Sequence, residues 1–136
     1  MAKRSTSRRL AMQALYQIDL SGITTEEAMN SAKGDEEFKQ ETLDYASCLV
    51  DKTLENLKEI DRKISSSSKG WTVGRMGAVD RNILRLAVCE LDHVKENPFA
   101  VIVDEAVELA KKYGGEESKK FINGVLSSFS ATKTKV

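Results

Sequence analysis

Apolar residues recur at intervals of three and four along nearly the whole chain, and no segment offers the alternating pattern of a strand together with a partner to pair with. That period is the buried stripe of an amphipathic helix, so the sequence specifies helices packed on helices. The first stripe is Leu10, Ala11, Ala14, Leu15 and Ile18. It predicts a helix from about Thr6 to Leu20, with Ser5 or Thr6 placed to cap it and Gly22 to end it. Thr24 and Glu27 have capping-box spacing, so a short second helix starts there and closes at Lys33-Gly34. Asp35 opens the longest pattern, Phe38, Ala46, Leu49, Val50, Leu54, Leu57, Ile60 and Ile64, read as a third helix.

Four serines, Ser65 to Ser68, and then Lys69-Gly70 interrupt the pattern and mark a subdomain boundary. The chain therefore divides into an N-terminal helical part, residues 1–68, and a C-terminal one, residues 69–136, within one globular unit. Beyond Trp71, Gly74 and Gly77, a stripe of Val79, Ile83, Leu86, Ala87 and Leu91 predicts the middle helix. Pro98, the only proline, signals a helix start, because proline suits the first helical position. Val101-Ile102-Val103 has strand propensity but no partner strand, so one helix is expected to run through it to Tyr113, stopped by Gly114-Gly115. The last helix runs from about Glu117 to Phe129, with a frayed tail from Thr132 to Val136. The fold class is all-α, with about six to seven helices.

Lysine plus arginine balances aspartate plus glutamate at 21 each, so a nucleic-acid contact has to come from a local patch and not from the net field. One such patch exists: Lys3, Arg4, Arg8 and Arg9 gather at the start of the first helix without an acidic residue among them. Cations there oppose the helix dipole at a cost of roughly 0.3–1 kcal/mol each, which asks for a reason. Catalytic arrangements are lacking. The glycines are spaced as helix breakers and not as a phosphate loop, and a single histidine, His93, makes triads and metal clusters improbable. Cys48 and Cys89 are read as reduced, buried thiols, with a disulfide between them left open. No cofactor or metal is expected, and enzymatic function is not. No apolar run approaches the ~20 residues of a membrane span. No secretory signal is visible either, so the expected location is the cytoplasm.

Several stretches, in order and at matching spacing, resemble one family. They are Arg8 with Ala11-Met12-Gln13-Ala14-Leu15-Tyr16; Val79-Asp80-Arg81 with Leu84-Arg85-Leu86-Ala87 and Glu90-Leu91; Asp104 through Lys111; and Ser118-Lys119-Lys120-Phe121-Ile122-Asn123-Gly124-Val125-Leu126. The set is similar to the bacterial transcription antitermination factor NusB. The resemblance implies two small helical bundles packed across each other. It also implies an adaptor that recognises boxA RNA together with the ribosomal protein NusE and joins RNA polymerase antitermination complexes during ribosomal RNA synthesis.

Under that resemblance, Lys3, Arg4, Arg8 and Arg9 are expected to neutralise RNA phosphates. Tyr16 and the pair Lys120 and Phe121 are expected to face RNA, and Asp80 and Arg81 to meet NusE. Each has a plainer alternative: a solubilising terminus, a core tyrosine, a buried-stripe phenylalanine, and an N-terminal carboxylate beside a surface arginine. Asn123 and Gly124 are read as structural, the glycine admitting a closely packed helix. The alternative for the whole chain is a protein-binding scaffold that self-associates as a homodimer, with an incidental basic terminus.

Overall fold

The structure, a computed structural model, describes the backbone of residues 4–134 and the side chains of residues 4–129. Lys3 lies outside the described residues, as do residues 135 and 136. The described residues form seven α-helices: α1 Arg4–Ser21, α2 Thr25–Lys33, α3 Gln40–Glu55, α4 Leu57–Ser66, α5 Ala78–Cys89, α6 Phe99–Gly114 and α7 Glu116–Thr134. No strand occurs among the described residues.

The turn chemistry explains most of the boundaries. Thr24 Oγ1 accepts from the Glu27 amide at 3.1 Å, and the Glu27 carboxylate accepts from the Thr24 amide at 3.0 Å, closing the expected capping box. Gly22, Gly34 and Gly115 adopt φ of 65°, 61° and 91° where α1, α2 and α6 stop. This left-handed region is open to glycine without a Cβ penalty.

The structure revises the ends of several elements. Arg4 is already helical, so Ser5 and Thr6 lie inside α1. The neighbouring hydroxyls serve tertiary contacts instead of a cap: Ser7 donates to the Thr42 carbonyl at 2.8 Å, and Ser5 donates to Glu105. Residues 35–39 are not helical, and the long third pattern is two helices. Asn56 divides them, at φ −116° and ψ 21°, with its carboxamide donating to the Lys52 carbonyl at 2.8 Å. Such side-chain competition for a helix carbonyl bends or ends helices. Pro98 sits one residue before the first helical position of α6. α7 continues to Thr134, past the expected onset of fraying.

α5 is the axis of the molecule, packing against α1, α3, α4, α6 and α7. α1, α2 and α3 pack on one another, and α6 and α7 pack together. Leu10, Leu49, Ile60, Ile64, Leu84, Ile122 and Leu126 are wholly buried in the shared core. α5 does not end in a simple cap. It widens into a π-helical turn over Glu90–Val94, closed by Lys95 at φ 57°, whose amide donates to the Glu90 carbonyl at 2.9 Å. π turns are frequently found at functional sites, and this one begins at Glu90.

Candidate nucleic-acid interface

The basic start of the chain divides into two environments. Arg8 turns inward and is 3% exposed. Its Nε and Nη2 donate to the two Glu90 oxygens at 2.5 and 2.9 Å, and Nη1 donates to Glu105 at 2.8 Å. The Glu90 carboxylate, 1% exposed, also accepts from the Tyr45 hydroxyl at 3.0 Å and from the Asn97 carboxamide at 3.2 Å. Burial alone would lower the Arg8 pKa, but the hydrogen bond and charge of Glu90, with Glu105 behind, hold it above its usual value. Arg8 is therefore committed to the interior, where the sequence reading placed it among surface phosphate contacts. The bidentate fork on a carboxylate is the geometry in which arginine pairs best.

Arg4 and Arg9 stay at the surface. The Arg4 guanidinium lies 3.6 Å from the centroid of the Tyr45 ring and 3.5 Å from Glu96, with its side chain 40% exposed. Arg9 reaches over Phe38 at 6.0 Å and donates to Gln13 at 3.4 Å, and Gln13 donates to the Tyr113 hydroxyl at 3.4 Å. Lys112 stands 5.5 Å from the Tyr113 ring. Tyr16 and Tyr113 share the wall of an open groove of about 450 Å³ between α1, α2 and the start of α5. The structure thus brings together Arg9, Gln13, Tyr16, Lys112 and Tyr113, a surface of cations and aromatics, bordered by Glu105 and Glu108, that only Arg9 and Tyr16 announced in the sequence.

Lys120 and Phe121 lie elsewhere on the surface, beside Trp71. The Phe121 and Trp71 rings meet edge to face, centroids 6.3 Å apart at 75°, and the Arg75 guanidinium lies 5.4 Å from the Trp71 centroid. Phe121 is only half-buried, so it is both packed and reachable. Gly124 is exposed, and a Cβ there would meet nothing within 4 Å. The close helix packing expected at this glycine is not present.

Asp80 and Arg81 part company too. Arg81 Nε donates to Asp19 at 2.6 Å, and Arg85 bridges Asp19 at 3.2 Å and Asp61 at 2.8 Å, tying α1, α4 and α5 together. Burial would raise the Asp19 pKa, but hydrogen bonds from Arg81 and Asn82 and the nearby guanidinium charges hold it below the usual range. Asp80 points at the α6–α7 junction, and its buried Oδ1 has no hydrogen-bond partner among the described residues.

Both cysteines are free thiols; Cys89 is buried and Cys48 is partly exposed beside Tyr45. Burial, then the charge and hydrogen bond of Glu90, pushes the Tyr45 phenol up to about 12. Burial likewise pushes the Cys89 thiol up to about 11. The unfolded chain loses these protons earlier, from about pH 8.5 for the thiol and about pH 10 for the phenol. In that window the unfolded state binds fewer protons than the folded one, so stability is intact below it and falls as pH rises through it. Urea midpoints are expected to decline steadily from about pH 9 to about pH 11, with a shallower decline above about pH 10 in Tyr45→Phe. A flat profile would contradict the burial of both groups.

No group of histidine, cysteine and carboxylate side chains that could hold a metal ion occurs among the described residues. No helix among them is long and apolar enough to cross a membrane.

The sequence profile of the NusB family matches residues 5–131. The transcription antitermination protein NusB of Bacillus mycoides (strain KBAB4) is 44% identical over 130 residues, which span 96% of this chain and 98% of the relative. The protein of the same name from Pelotomaculum thermopropionicum is 47% identical over 126 residues, 90% of this chain and 85% of the relative. Among solved structures, a chain from the crystal structure of antitermination factors NusB and NusE in complex with double-stranded RNA superposes with a TM-score of 0.87. It is 33% identical and spans 95% of this chain and 96% of that one.

Proposed function

This chain belongs to the NusB family, and on that premise we propose that it is a non-enzymatic transcription antitermination factor. In this reading it binds boxA RNA together with the ribosomal protein NusE and joins RNA polymerase antitermination complexes during ribosomal RNA transcription. The observation that carries the RNA-binding part is the surface where Arg9, Gln13, Tyr16, Lys112 and Tyr113 gather on and around α1. Phosphates favour the cations, and unstacked bases favour the tyrosine faces. Lys3, Arg4, Arg9, Tyr16, Lys120 and Phe121 contact RNA in this reading. Arg8 holds α1 in place from inside. The start of α5, with Asp80 and Arg81, meets NusE in this reading.

The test is a titration of labelled boxA RNA and a scrambled control, with and without NusE, at two salt concentrations. Tighter boxA binding with NusE, weakening with salt, is the expected result. Arg9→Ala combined with Lys112→Ala is expected to weaken binding and to reduce the salt slope by about 1–2. Equal binding of both RNAs, or none, would leave a protein-binding scaffold, and sedimentation would then be read for a homodimer.

A further inference from the structure

A second groove, of about 700 Å³, opens between the start of α1, the first half of α3 and the loop before α6. Glu41, Asp44, Tyr45 and Cys48 line it from α3, Arg4 from α1 and Asn97 from the loop. It shares no lining residue with the Tyr16 groove. The Tyr45 hydroxyl donates to Glu90 at 3.0 Å, and the Asn97 carboxamide donates to that hydroxyl and to Glu90 at 3.1 and 3.2 Å. The aromatic ring is thereby held in place before any ligand arrives.

One guanidinium already sits on that ring. Arg4 lies 3.6 Å from the Tyr45 centroid and 3.5 Å from Glu96. It is loosely held. Glu96 is 58% exposed, and an ion pair in contact with water contributes little. Arg4 Nη1 is buried without a hydrogen-bond partner among the described residues, which counts against this position. Charge around the seat is also unbalanced. Glu41 pairs with no cation among the described residues, and Asp44 accepts from the neutral Gln40 carboxamide at 2.8 Å. Three carboxylates, Glu41, Asp44 and Glu96, thus stand about a single cation. Just beyond Asn97, at the start of α6, Phe99 and Val101 are 38% and 42% exposed.

We propose that this groove docks a segment of a protein partner that carries an arginine beside an apolar residue, the incoming guanidinium taking the seat over Tyr45 that Arg4 holds. The carboxylates select a cation, and the ring face favours a planar guanidinium over a compact ammonium. Phe99 and Val101 give the apolar residue a surface to lie on. A nucleic-acid backbone does not fit, since its phosphates would meet Glu41 and Asp44. Arg4, once displaced, is free for the phosphate contact given to it above. The docking itself does not depend on RNA.

Cys48 reports on the groove, since it lines the wall and is partly exposed, whereas Cys89 is buried. The full chain would be alkylated with iodoacetamide, with modification at Cys48 followed by mass spectrometry. The probe is a capped peptide of alternating leucine and arginine, compared with its glutamate counterpart and with spermidine. The arginine peptide is expected to slow Cys48 alkylation severalfold, less so as salt rises, and the glutamate peptide is not. Arg4→Ala is expected to tighten the arginine peptide about two- to fivefold, because the seat no longer holds the chain's own cation. Glu41→Lys combined with Asp44→Lys is expected to abolish protection; both side chains are exposed, and a urea midpoint measured alongside checks the fold. The proposal is overturned if the arginine peptide gives no protection, or if Arg4→Ala leaves its affinity unchanged or weaker. It is equally overturned if the folded charge-reversal variant is still protected, or if spermidine protects as well as the peptide, which would make the groove a site for small polycations.

Discussion

Glu90→Ala is expected to destabilise the fold by about 3–5 kcal/mol, the range found when one partner of a buried ion pair is removed. Four donors converge on this carboxylate from α1, α3 and the loop before α6: Arg8 Nε and Nη2, the Tyr45 hydroxyl and the Asn97 carboxamide. Removing it leaves the Arg8 guanidinium 3% exposed, with Glu105 as its only remaining carboxylate partner among the described residues, and that side chain is 24% exposed. The carboxylate of Glu105 limits the loss but does not reach Tyr45 or Asn97. Equilibrium unfolding in urea is the measurement. A loss below about 1 kcal/mol would mean that water enters and solvates Arg8 in the folded state. Replacing both partners with apolar residues of similar volume, Arg8→Met with Glu90→Leu, is expected to recover much of the loss, since a well-packed apolar pair avoids the desolvation of two charges.

The second large effect is expected at the axis of the bundle. Leu84 on α5 is wholly buried, in a helix that every other helix except α2 packs against. Leu84→Ala removes three carbon atoms' worth of burial and leaves a cavity that rigid neighbours on several sides cannot close. The expected loss is about 2–5 kcal/mol. RNA affinity per folded molecule is expected to be unchanged, because Leu84 does not line the Tyr16 groove. Leu20, 55% exposed at the end of α1, is the control: Leu20→Ala is expected to move stability by no more than about 0.5 kcal/mol.

Much of this architecture was legible in the order of residues. The Thr24–Glu27 capping box, the glycine stops and the helical reading of Val101-Ile102-Val103 all follow from local chemistry, and the structure has them. The division of Arg8 from Arg9 was also written in the sequence, though the shared positive charge hid it. Arg8 precedes Ala11, Met12 and Leu15 by three, four and seven residues, the spacing of one helix face, and all three are buried. Arg9 precedes Gln13 and Tyr16 by four and seven, which is the face that reaches the surface. Glu90 follows Ile83, Leu86 and Ala87 by seven, four and three, again on the buried stripe. A charge on an apolar face requires an opposite charge on another, and these two answer each other.

Other features had no local signature. Asn56 divides α3 from α4 without interrupting the apolar pattern around it. The π turn begins at Glu90, whose partner Arg8 lies 82 residues away in the chain. Trp71 belongs to no periodic segment, so its exposure and its pairing with Phe121 could be read only from the folded molecule.

The length of that Arg8–Glu90 connection has a consequence for the order in which the protein is made. During synthesis the N-terminus emerges first, and α1 can settle early against α2 and α3, with which it packs. Its Arg8 charge has no permanent partner until residue 90 has left the ribosome, and residue 105 follows later still. Until then burying the guanidinium is unfavourable, and water holds it at the surface. An early helix is thus locked late, and the arrangement of Arg4, Arg9 and Tyr16 becomes permanent only once residues 90 and 105 have been delivered. A nascent fragment lacking them carries the basic residues without the finished surface, so maturation of the proposed RNA-facing surface is tied to delivery of residues 90 and 105.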